Sequence, residues 1–161
     1  MPTVYFGLGT NIGNKKENLT RAIEALSLAL GNYTALSPFM ETEPWGFDSD
    51  NTFLNCVVAY ETSISPTQLL NTTESIEREL GRTTKSTGGI YHDRVIDIDI
   101  LLYGYEIIET PRLTIPHPLM HLRDFVLEPL ASIAPHAIHP TTGKSIEKLV
   151  AVQKEQHAQK G

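Results

Sequence analysis

Two stretches of helical apolar period, each closed by a glycine and set among β-branched segments, restrict this chain to folds in which strands and helices alternate. In the first, Leu19, Ala22, Ile23, Leu26, Ala29 and Leu30 recur at the spacing of one helix face from Lys15 onward, and Gly31 stands where a helix stops. In the second, Ser65 supplies a cap and Pro66 suits the first helical position. Leu69, Leu70, Thr73, Ile76 and Leu80 then form the buried face, and Gly81 ends it. Between and around these helices, Thr3 to Leu8, Phe53 to Thr62 and Arg94 to Tyr103 are rich in the β-branched and aromatic residues of strands. Tyr33 to Met40 is a weaker strand segment interrupted by Pro38, and a polar loop from Glu41 to Asn51 follows it. The order strand, helix, strand, strand, helix, strand predicts an α+β fold of the βαββαβ ferredoxin-like plan, with a largely antiparallel sheet.

Beyond this core, Glu106 to Ile108 is expected to pair with the preceding strand after a turn at Gly104. Asp124 and Ser145 are expected to cap two short C-terminal helices, and residues 153–161 to form a frayed polar tail. A length of 161 residues fits a single domain spanning the chain. The single cysteine, Cys56, sits in an apolar run, so neither a disulfide framework nor a cysteine zinc site can be assembled within the chain. No apolar run approaches the ~20 residues that span a bilayer, and no basic stretch followed by an apolar one opens the chain. The expectation is a cytoplasmic protein with no membrane partner. A formal charge of -6 repels nucleic acid at long range and leaves small anionic ligands open.

The densest chemistry lies in Arg94-Val95-Ile96-Asp97-Ile98-Asp99-Ile100-Leu101. The two-residue period of a strand puts Asp97 and Asp99 on one face and the three isoleucines on the other, with the carboxylates roughly 6 to 7 Å apart. Such a pair suits Mg²⁺, which takes one or two protein carboxylates and completes its oxygen shell with water and substrate phosphates. An amphipathic strand with a solvated polar face gives the same alternation. Arg82, Lys85, Arg94, Arg112, His117 and Arg123 flank the pair in sequence, a mixture suited to a metal-complexed polyphosphate. The polar stretch from Arg82 to Asp93, with Gly88-Gly89 inside it, is expected to be a long functional loop that closes over bound substrates. The phosphate-cradling G-x-x-x-x-G-K-[ST] loop is absent, and Gly7-Leu8-Gly9 lacks the third glycine of a dinucleotide fingerprint.

These segments together resemble the 6-hydroxymethyl-7,8-dihydropterin pyrophosphokinases of folate synthesis. The likeness rests on Gly9-Thr10-Asn11, Thr42-Glu43-Pro44-Trp45-Gly46, Phe53-Leu54-Asn55 and Gly81-Arg82. It continues through Asp93 to Leu101 and through Arg112 to Pro118, with Arg123 and Phe125 after them. The resemblance implies a monomer that uses ATP and two Mg²⁺ ions and transfers the terminal two phosphates together, leaving AMP. It implies that Asp97 and Asp99 hold the metals and that Arg82, Arg94, His117 and Arg123 contact phosphates. Ile100, Arg112 and Thr114 would border the adenosine, partly through backbone groups, with Glu77 and Lys85 also on the ATP side. Thr42, Pro44 and Trp45 would line the pterin. This chain departs from many relatives at Thr84, where they carry a second loop arginine, and at Tyr91, where they carry a tryptophan.

The acceptor end has its own logic. Phe53 and Asn55 share a strand face, presenting an aromatic plane beside an amide that both donates and accepts, and Phe125 could close the stack. Core packing of the two phenylalanines and a backbone contact by Asn55 are the structural alternatives. Glu74 is expected on a solvated helix face, and His121, His136 and His139 as surface or structural histidines. A Mg²⁺-dependent transferase with another acceptor, and a non-catalytic nucleotide- or pterin-binding module, share the fold and parts of the pattern.

Overall fold

The computed structural model describes residues 1–42, 52–81 and 95–160. The chain runs β1 (Thr3–Thr10), α1 (Lys15–Leu30), β2 (Ala35–Leu36), β3 (Met40–Thr42), β4 (Phe53–Glu61), α2 (Pro66–Leu80) and β5 (Asp97–Tyr103). A short hairpin of β6 (Ile108–Glu109) and β7 (Thr114–Ile115) follows. After it come a 3-10 turn, Met120–Leu122, then α3 (Asp124–Ile133) and α4 (Ile146–Lys160). The main sheet has the order β2-β4-β1-β5, with β3 also paired to β4, and every pairing is antiparallel. This is the ferredoxin-like plan that the sequence predicts, with β1 central and β5 at an edge.

Local chemistry sets the helix ends. Asn14 caps α1 by accepting from the Glu17 N–H at 3.1 Å, and Ser65 caps α2 by accepting from the Gln68 N–H at 3.3 Å. Gly31 has φ 92°, the left-handed region that favours glycine at a helix end, whereas Gly81 closes α2 at an ordinary φ of -91°. Both helices cover one face of the sheet, where Val4, Phe6, Leu8, Cys56, Val58, Tyr60, Ile96, Ile98 and Ile100 meet Leu19, Leu26, Leu69 and Ile76. Helices α3 and α4 cover part of the opposite face through Val57, Leu101, Leu102, Leu127, Leu130 and Leu149. The second cluster leaves the Asp97 end of that face to the polar groups described below.

Three sequence expectations are corrected. Val95 and Ile96, expected within the edge strand, lie in a bend and its approach, and the strand runs from Asp97, while Arg94 lies outside the described residues. Ile108 pairs with Ile115 and not with β5, because a second local strand, β7, supplies a nearer partner. Asp124 is the first residue of α3, and the cap position belongs to Arg123, which makes no side-chain cap bond. Helix α4 runs to Lys160, with Gln153, 6% exposed, packed inward. Ser145 does cap α4, its Oγ accepting from the Lys148 N–H at 3.2 Å.

Candidate active site

Strand register assembles the site. Gly9 on β1 lies opposite Asn55 on β4 and opposite Asp97 on β5, so an amide, a bare backbone position and a carboxylate form one row across three strands. The next row on the same face is Val57, Gly7 and Asp99. Asp97 and Asp99 are only partly buried, whereas Ile96, Ile98 and Ile100 are each 5% exposed and belong to the helix-covered core. The D-I-D alternation is therefore a division between core and site. The oxygen donors of the pair fit a hard divalent cation that takes one or two carboxylates and draws its other ligands from phosphate and water. Among the described residues no group of three or more His, Cys, Asp or Glu gathers into a cage of protein ligands alone.

The edge strand is held from outside by α2. Glu77 Oε2 accepts the Ile98 backbone N–H at 2.9 Å, between the two aspartates. A free N–H on a sheet edge is thereby satisfied, and the strand segment that aims both carboxylates is fixed. Glu77, expected on the ATP side, thus also acts on the backbone. Glu77→Ala should lower stability by about 1–2 kcal/mol and reduce turnover, whereas Glu77→Gln, which keeps an acceptor oxygen, should retain most of both. Urea denaturation alongside steady-state rates checks this, and equal losses in the two variants would contradict it.

His117 approaches from beyond β5. Its backbone N–H donates to the Leu101 carbonyl at 3.0 Å, and its Nε2 stands 3.8 Å from Asp99 Oδ2, too long for a hydrogen bond but close for charge. Burial first, and then the Arg123 guanidinium, hold its imidazole below the usual 6.5, while Asp97 pulls in the opposite direction. Arg123 itself lies over the Phe125 ring, 5.6 Å from the centroid. Phe125 packs at the edge of the second core cluster, so it joins the core and the cationic group together. Arg112 is exposed and pairs with Glu74 at 2.8 Å and Asn71 at 3.0 Å on α2. Glu74 is accordingly a tether for the β6–β7 hairpin as well as part of a helix surface. Thr114 is exposed on β7, and the Ile100 side chain is core, leaving its backbone as its contribution at the sheet edge.

On the other side of the row, Asn55 is 6% exposed, and its Nδ2 donates to Thr42 Oγ1 at 2.6 Å. The side chain of Thr42 thus joins the site, a contact with no signal in the spacing of the two residues. Phe53 pairs with Thr42 across β3 and β4. Asn18 pins the chain beyond β1 by donating to Thr10 Oγ1 at 3.2 Å and to the Ile12 carbonyl at 2.9 Å. Pro44, Trp45, Arg82, Lys85 and Arg94, with the loop expected to close over substrates and the departures at Thr84 and Tyr91, lie outside the described residues. His139 is 3% exposed and edge-on to His121, with ring centroids 5.8 Å apart, and the His136 side chain is 85% exposed. Burial pushes the Cys56 thiol up to about 12, which removes it as a nucleophile near neutral pH.

The family model for 7,8-dihydro-6-hydroxymethylpterin-pyrophosphokinase (HPPK) matches residues 5–135, which include every row of this site. The chain belongs to the HPPK family. A 2-amino-4-hydroxy-6-hydroxymethyldihydropteridine pyrophosphokinase of Porphyromonas gingivalis is 51% identical over 141 residues, covering 87% of this chain and 95% of the relative. The HPPK enzyme of the same description from Aquifex aeolicus is 40% identical, over 92% of this chain and 90% of its own. Among solved structures, one described as HPPK-DHPS in complex with substrates superposes with a TM-score of 0.75 at 16% identity, covering 99% of this chain and 44% of that one. The HPPK-DHPS of Plasmodium falciparum with pteroate gives a TM-score of 0.73 at 16% identity, over 98% and 46%. This chain spans under half the length of those two, and at that identity the likeness carries the HPPK fold alone.

Proposed function

We propose that this chain transfers the terminal pyrophosphoryl group of ATP to the hydroxymethyl group of 6-hydroxymethyl-7,8-dihydropterin, giving AMP and the pterin diphosphate for folate biosynthesis. The observation that supports this most is the register row of Asn55, Gly9 and Asp97, which sets an amide for a polar heterocycle edge and a carboxylate pair for a metal-bound polyphosphate on one sheet face. Asp97 and Asp99 would hold Mg²⁺, two ions by family likeness, and the bound metal would neutralise phosphate oxygens. The protein's own part is to position and to compensate charge, which is most of what phosphoryl transfer needs. Asn55 and Phe53 orient the heterocycle, with Thr42, Pro44, Trp45 and Phe125 around it. His117 and Arg123 approach the phosphates from beyond β5, and Arg82, Lys85 and Arg94 add positive charge. Glu77, Ile100, Arg112 and Thr114 border the nucleotide side.

We place the enzyme in the cytoplasm as a single-domain monomer with no nucleic-acid or membrane partner. The net charge of -6 disfavours a nucleic-acid partner, and among the described residues no helix is long and apolar enough to cross a membrane. Incubation with ATP, Mg²⁺ and hydroxymethyl-dihydropterin should yield AMP in step with pterin diphosphate. Formation of ADP and a pterin monophosphate would point to a transferase of another kind, and absence of turnover to a binding module.

A further inference from the structure

Two glycines, Gly7 and Gly9, sit two apart in the central strand, where a residue without a side chain weakens a sheet. Their conformations do not call for glycine. The glycines of positive φ among the described residues are Gly13, Gly31, Gly104 and Gly143, so positions 7 and 9 lie in backbone that any residue can adopt. What remains is space, and the two positions differ in it. A Cβ at Gly7 would lie 3.4 Å from the methyl ends of Leu101, an ordinary contact with a flexible tip. A Cβ at Gly9 would lie 2.8 Å from Asn55 Oδ1, a distance at which one of them must move, and 3.6 Å from Phe53 Cδ1.

Asn55 has little freedom to give way. Its Nδ2 end is engaged by Thr42 at 2.6 Å and it is nearly buried, so its amide is oriented with nitrogen toward β3 and oxygen over β1. The oxygen occupies the place that a side chain at position 9 would take. Phe53 leans over the same point, and Asp97 stands opposite on the far strand. We propose that Gly9 is a specificity-determining positioning residue: its missing side chain lets the Asn55 carbonyl oxygen and the Phe53 ring converge over one bare point of β1, forming the slot for a flat heterocycle with an N–H-bearing edge. This deepens, and rests on, the pterin pyrophosphokinase reading. Recognition by a fixed acceptor depends on its place, because a displaced oxygen leaves the ligand N–H groups unpaired in a site shielded from water.

The test is a double-mutant cycle of Gly9→Ala and Asn55→Ala in the full chain, reading KM for hydroxymethyl-dihydropterin, KM for ATP, kcat and melting temperature. Gly9→Ala should raise the pterin KM by about tenfold or more, with ATP KM and kcat at saturating pterin changed by less than about threefold. In the Asn55→Ala background, adding Gly9→Ala should change the pterin KM by less than about twofold, because the displaced group is already gone. A general structural weakness would instead lower melting temperature and affect both substrates alike. An unchanged pterin KM in Gly9→Ala, or additive losses in the double variant, overturns the proposal. Should Gly9→Ala fail to fold, the comparison of the double variant with Asn55→Ala decides alone: equal pterin KM supports the proposal and a further rise overturns it. Wild-type protein that neither binds nor turns over the pterin defeats the functional reading itself, whereas wild-type turnover with an indifferent Gly9→Ala defeats only this inference.

Discussion

Asp97→Asn and Asp99→Asn are each expected to lower kcat by at least about a hundredfold while leaving the protein as stable as before or slightly more so. Both side chains project from the site face of an edge strand, opposite the buried isoleucines, so neither substitution opens a core cavity. Removing one of two neighbouring negative charges also relieves repulsion, and melting temperature should not fall by more than about 2 °C. The loss in rate comes from a weakened anionic site and from phosphates held off their reacting position. Combining the substitutions should cost much less than the product of the single effects, since the two carboxylates act as a unit. Near-normal turnover of either folded variant at saturating Mg²⁺ would reject the assigned role.

The second large effect is on the acceptor. Asn55→Ala should weaken pterin binding by roughly 10- to 100-fold and leave ATP affinity within about twofold, because the role proposed for its buried amide is to pair with the ring and not with the phosphates. Asn55 also donates to Thr42, so some loss of stability is expected as well. Calorimetric titration with pterin and with a nonhydrolysable ATP analogue separates the two ligands. Equal losses for both would assign Asn55 a structural role.

Much of this architecture is readable in the sequence because local and global signals agree. Asn55 and Asp97 are legible through the two-residue strand period, and the helices through their glycine ends and apolar faces. The site row itself is not legible, since it depends on register: Gly9 meets Asn55 and Asp97 only once β1 is placed between β4 and β5. The tether from Glu77 to the Ile98 N–H is invisible for a related reason, as a backbone donor on a sheet edge has no sequence mark. Thr42, read as part of a polar loop, proves to be a strand residue holding Asn55 through its hydroxyl. The Gly7 and Gly9 pair did carry a signal, a two-residue glycine period in a β-branched strand. Its meaning as space rather than flexibility needed the dihedral angles and the neighbouring oxygen. The hairpin after β5 misleads because Gly104 reads as a turn back onto that strand, while the better partner for Ile108, Ile115, lies further along.

The most direct test follows the two phosphates. ATP labelled at the β phosphorus and ATP labelled at the γ phosphorus are each incubated with the protein, Mg²⁺ and hydroxymethyl-dihydropterin, and the pterin product is isolated. Transfer of the pyrophosphoryl group as one unit predicts both labels in the pterin at equal yield, with unlabelled AMP released. Recovery of the γ label alone in the pterin, with the β label left in ADP, would contradict the account.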